Sequence, residues 1–109
     1  MSNMFENATF TSDISKWNVS KVTTMYGMFS ACDFESELSD WDVSHVTDMG
    51  HMFFISPFNR DISKWNVKNV TNMPYMFYAA RYFNQPIGKW NMSKVNNIAG
   101  MFNMASSFN

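Results

Sequence analysis

One cysteine, Cys32, excludes an internal disulfide framework and a multi-cysteine zinc site. One leucine, Leu38, leaves the volume that leucine usually fills to other side chains. No apolar run approaches the roughly 18 residues of a membrane-spanning helix. The start, Met1-Ser-Asn-Met-Phe, has neither a basic region nor a hydrophobic stretch, so no signal peptide is expected on this chain. Eight Lys and Arg against nine Asp and Glu give a net charge of −1. That balance supplies no global attraction to nucleic acid or to an anionic membrane. Gly and Pro are scarce, at four and three residues, and Pro57, Pro74 and Pro86 fall in candidate turns or at element starts. What the chain does have is 11 Met, 11 Phe and 4 Trp in 109 residues, enough apolar bulk for one globular domain.

Those residues repeat. Trp17, Trp41, Trp65 and Trp90 are spaced 24, 24 and 25 apart. Met-Phe recurs at Met4-Phe5, Met28-Phe29, Met52-Phe53, Met76-Phe77 and Met101-Phe102, and a second Phe follows each pair. Such a period is the signature of a stacked repeat. Within a unit, Lys16-Trp17-Asn18-Val19-Ser20 alternates with period 2 and predicts a short strand with Trp and Val inward. Val22, Met25, Met28, Phe29 and Cys32 follow at steps of 3 and 4, the spacing of a helical or 3-10 return. The expectation is a leucine-rich-repeat-like solenoid of about four and a half coils. Its units are a partial 1–9, then 10–33, 34–57, 58–82 and 83–107, with no capping unit. Each Trp should lie over the next Trp and each Phe over the next Phe.

The run Ile62-Ser-Lys-Trp-Asn-Val-Lys-Asn-Val-Thr-Asn-Met-Pro-Tyr-Met-Phe resembles the tandem unit of BspA-like leucine-rich-repeat surface proteins. It is most similar to the Mycoplasma-type surface-lipoprotein subgroup, whose repeats carry W-[ND]-V-S-x-V-T-x-M-x-x-M-F. Ile14, Trp17 and Val19, with Leu38, Trp41 and Val43, stand in the leucine places of L-x-x-L-x-L. The resemblance implies a parallel β-solenoid and a bacterial cell-surface or secreted parent protein that binds host molecules or other cells. It carries over no catalytic residue and no cofactor.

An inward Trp and Val leave a polar strip outward: Lys16, Asn18 and Ser20, then Asp40, Asp42 and Ser44, then Lys64, Asn66 and Lys68, then Lys89, Asn91 and Ser93. This strip is the candidate binding surface, for a protein or glycan ligand on a host or neighbouring cell. The competing reading is a solvated face whose asparagines bond along the stack. Asp13, Glu37 and Asp61 form a carboxylate column that could hold calcium, although capping of turns suits the residue types better. His45 and His51 lack a third ligand for a metal site, and His51 could pair with Asp48. No metal or cofactor is expected, and no nucleophile is implied, so the chain is read as not an enzyme. Cys32 falls in a small-residue column and should be buried. Asn18-Val-Ser20 and Asn91-Met-Ser93 fit the glycosylation pattern, yet the repeat produces them regardless. The alternative role is a self-assembling scaffold that associates end to end, or by swapping, through uncapped Met, Phe and Trp.

Overall fold

The computed structural model describes residues 1–108. It contains no helix and no extended strand among them. Among the described residues the only β pairing is single-residue and parallel: Thr9 with Asp33, and Thr24, Asp48, Asn72 and Asn97 in succession. The molecule measures 35 × 32 × 22 Å with a radius of gyration of 12.5 Å. This corrects the expected solenoid of strands and helical returns. The chain is a compact globule built from tight turns.

Local chemistry explains why both expected elements fail. At the positions read as strand, the side-chain oxygen of Asn18 accepts a hydrogen bond from the amide of Ser20, two residues on. Asp42 does the same for Ser44, Asn66 for Lys68 and Asn91 for Ser93. Such Asx turns divert the backbone from a ladder. On either side of them the chain closes further turns, Trp41 N to Leu38 O at 3.1 Å and Val46 N to Val43 O at 3.0 Å. The inward-outward alternation survives, because Val19, Trp41, Val43, Trp65 and Val67 are buried. Trp17 is the exception, 38% exposed.

At the positions read as helix, every fourth residue turns left-handed. One column holds Asn3, Gly27, His51, Tyr75 and Gly100, and another holds Asn7, Ala31, Ile55, Ala79 and Met104, all with φ between 50° and 63°. An α-helix cannot pass through such residues. Alternate amides then divide their work. Met28, Ser30 and Cys32 donate within the unit, to the carbonyls three residues back. Met25, Gly27, Phe29 and Ala31 donate to Asp48, Gly50, Met52 and Phe54 of the following unit, at 2.7–2.9 Å. The pattern repeats from Met49, His51, Phe53 and Ile55 to Asn72, Pro74, Met76 and Tyr78, and once more from Met73 onward. Segments 25–32, 49–56, 73–80 and 98–105 therefore form one side of the molecule, the turn side.

Between the turn side and the Asx turns lies the core. Phe5, Phe29, Phe53, Phe77 and Phe102 form a continuous pile with ring centroids 5.5–5.7 Å apart and planes within 10° of parallel. Phe34 and Phe58 lean against it at 4.3 Å. Each such ring pair contributes about 0.5–1.5 kcal/mol beyond burial. Trp65 stacks on Trp90 at 6.4 Å. The indoles also bond across layers, since Trp41, Trp65 and Trp90 donate Nε1–H to the carbonyls of Ile14, Leu38 and Ile62. Among the described residues Trp17 makes no such bond, which fits its exposure. Met25, Met49 and Met73 are fully buried and, with Ile14, Leu38 and Ile62, hold the places of a leucine core.

Candidate functional site

All twelve residues of the polar strip lie at the surface, and only Ser20 and Ser44 are partly covered. Much of their bonding capacity is spent locally. The Asn18 oxygen also accepts from the Ser20 hydroxyl at 2.7 Å, and Asp42 accepts from the Ser44 hydroxyl at 2.6 Å. No hydrogen bond joins one strip asparagine to the next among the described residues. Lys16, Asp40, Lys64 and Lys89 are exposed at the corners of these turns. The strip is thus four separate turns, three with a nearby exposed lysine and one with Asp40, where a continuous sheet face was expected.

The other singled-out residues have structural partners. Asp13 and Asp61 cap turns at the amides of Ser15 and Ser63, while Glu37 pairs with Arg60 at 2.8 Å. These caps hold three carboxyls below the usual range: Asp13 mainly through the Ser15 amide, Asp42 and Asp61 mainly through the serine hydroxyl. Among the described residues, no three His, Cys, Asp or Glu converge as metal ligands. His45 donates Nδ1–H to the Ser20 carbonyl at 2.9 Å, the role Asn69 plays one unit later toward Ser44. Asp48 accepts from the Gly50 amide and from Asn72. His51 packs instead among aromatic rings. Cys32 is buried, and burial, with Asp33 adjacent, pushes its thiol up to about 11.

A surface not foreseen from the sequence runs along the turn side. Tyr26 packs on His51 at 5.1 Å, His51 on Tyr75 at 5.2 Å and on Phe54 at 5.0 Å, and Phe54 on Tyr78 at 5.0 Å. Tyr75 meets Tyr78 edge-on at 5.8 Å. Tyr78 leads into an open groove of about 380 Å³, walled also by Ile55, Pro57, Arg81, Tyr82 and Met104. All four tyrosines of the chain lie on this one face. Ile55, Tyr82 and Met104 are 51%, 63% and 62% exposed.

The backbone beneath this face is strained. Ile55 is β-branched with φ 56°, and His51 and Tyr75 are bulky residues at φ 55°. Other units use Asn or Gly in the His51 and Tyr75 column, residues that enter this region readily. Holding a β-branched residue there costs about 1–3 kcal/mol. The close layering adds a requirement. A Cβ on Gly100, which has φ 63°, would overlap the ring of Tyr75. The sequence signal for this face was the departure from the repeat: positions 51, 55 and 75, in two columns, change residue type while the core columns hold.

Among the described residues, no helix is long and apolar enough to cross a membrane. Neither curated proteins nor solved structures yield a match to this chain. Over residues 1–109, its whole length, the chain belongs to a family described as Mycoplasma protein of unknown function, DUF285.

Proposed function

We propose that this chain is a non-catalytic recognition module of a bacterial surface protein, binding a protein on a host or neighbouring cell through the tyrosine face. One observation carries the reading, the gathering of all four tyrosines with Ile55, Arg81 and Met104 on a single exposed side. Tyr, Met and Arg are the types enriched at protein interfaces, where Lys, Asp and Glu are depleted. No Lys, Asp or Glu lines the groove. The rings pack on one another along the face, His51 on Phe54 and Phe54 on Tyr78 stacked, the others tilted or edge-on. The polar strip remains the rival surface.

Binding of the purified chain to a cell layer separates the two. Tyr75→Ser with Tyr78→Ser should lower binding about tenfold or more, as loss of a buried interface aromatic does. Lys64→Ala, Asn66→Ala and Lys68→Ala together should leave it within about twofold. The opposite result would return the function to the strip. Protease treatment of the cells should abolish binding and glycosidase treatment should spare it.

A second reading, assembly, is favoured by a different surface. The amides of Ile98, Gly100, Phe102 and Met104 make no hydrogen bond among the described residues. Beside them Ile87, Trp90, Met92, Phe102 and Phe108 wall an open apolar cleft of about 530 Å³. This surface accepts a further unit of the same pattern, supplied by continuation of the chain or by a second copy. Sedimentation of the 109-residue chain tests the second case: self-association abolished by Phe102→Ser supports it, and a monomer at high concentration refutes it.

A further inference from the structure

We infer that the groove beside Tyr78 is an anchor pocket for a protein segment that presents an apolar side chain next to a carboxylate. The inference rests on the tyrosine face being the recognition surface and names what its deepest part takes. Three residues of one left-handed column, Ile55, Ala79 and Met104, line the groove. The backbone of Ile55 and Ala79 is clamped, because Ile55 N donates to Tyr78 O and Ala79 N donates to Asn103 O, both at 2.8 Å. The apolar floor is therefore rigid, and rigidity in the bound shape is what lets a small pocket hold a ligand. Asn7, whose type suits left-handed backbone, stands in the same column, yet the groove is given isoleucine, half exposed and strained. A β-branched residue kept in that geometry at a pocket wall points to use of the pocket.

Charge selects the occupant. Arg81 is the one charged residue in the wall, and no ion pair or hydrogen bond engages it among the described residues. The chain's other arginine, Arg60, is already held by Glu37. A guanidinium free beside an apolar floor matches a carboxylate through two parallel hydrogen bonds. Tyr78 and Tyr82 flank the groove and supply hydroxyls for the backbone of an extended segment. An aliphatic or aromatic side chain on the Ile55 floor, followed by Asp or Glu at Arg81, fills both requirements.

The test is titration of the isotope-labelled 109-residue protein with six-residue peptides Ser-Gly-Φ-Glu-Gly-Ser, where Φ is Leu, Ile, Phe or Trp, followed by amide chemical shifts. At least one peptide should give saturable shifts at Ile55, Ala79, Arg81, Tyr82 and Met104. Replacing its Glu by Gln, or using the Arg81→Gln protein, should weaken binding about fivefold or more, and combining both changes should add nothing further. High salt should weaken the Glu peptide and spare the Gln peptide. Saturable binding that ignores both changes overturns the carboxylate assignment. Shifts confined to Tyr26, His51 and Tyr75 overturn the anchor while leaving the tyrosine face as the recognition surface. Absence of shifts from every peptide, or shifts of these amides by methyl glucuronide alone, overturns the anchor as a protein pocket. The cell-layer experiment with Tyr75→Ser and Tyr78→Ser then judges the face independently.

Discussion

The side made of Asx turns and the side made of left-handed turns are both exposed, and they solve opposite problems. On the first, each polar side chain stabilises its own backbone: Asn18, Asp42, Asn66 and Asn91 repeat one residue class and one bond. On the second, His51 and Tyr75 sit where Asn and Gly serve in other units, and the β-branched Ile55 sits in a left-handed column shared with Asn7, Ala31, Ala79 and Met104. A surface that repeats because the fold needs it has little left over for a ligand. A surface that departs from the repeat against the backbone's preference is the better place to seek function.

This contrast can be tested from both sides. The largest effect belongs to Gly100→Ala, which forces a Cβ into the Tyr75 ring at φ 63°. It should destabilise the protein by about 2–3 kcal/mol and disturb the tyrosine face, read by denaturant unfolding. On the Asx side, Asn66→Ala removes one cap from the Lys68 amide, and should cost about 0.5–1.5 kcal/mol with ligand binding unchanged. On the turn side, Ile55→Asn should go the other way, holding stability level or raising it by up to about 1 kcal/mol while weakening binding. A stability loss from Ile55→Asn as large as that from Asn66→Ala would erase the distinction.

Acid supplies the gentlest probe. Asp13, Asp42 and Asp61 are held below the ordinary aspartate value of 3.8 by their serine caps. Their contribution to stability is thus present above the unfolded-state pKa and is lost as the pH falls through the lowered folded values. Thermal midpoints should decline below about pH 4. Asp13→Asn, Asp42→Asn and Asp61→Asn together should flatten that acid limb, because an amide oxygen caps without titrating.

Periodicity made the core legible: it places Ile14, Val19, Met25, Phe29 and their equivalents inward, and they are buried through the middle units, whereas Phe5, Met92 and Phe102 are half-buried and Ile98 is exposed. It could not distinguish the backbone. Alternation with period 2 is satisfied by a strand and equally by a run of tight turns with one apolar residue at each inward corner. Steps of 3 and 4 fit a helix, and they also fit alternating right- and left-handed turns. The deciding signals were short and polar. Asn-x-Ser at 18–20 and Asp-x-Ser at 42–44 spell an Asx turn, and Asn3, Asn7 and Gly27 mark the left-handed columns. The tyrosine face escaped because Tyr26, Phe54, Tyr75 and Tyr78 occupy columns that no repeat average describes.

The ladder of amides from one unit to the next also fixes how the chain can fold. Met25 reaches Asp48, Met49 reaches Asn72 and Met73 reaches Asn97, so each step joins residues 23 or 24 apart in sequence. The entropy lost in closing each loop is therefore the same at every step and does not grow with the number of units. Pairing the first two units should therefore be the slow event. Each later unit then docks on a template already formed, so a longer version of the chain would collapse into order no more slowly than a shorter one.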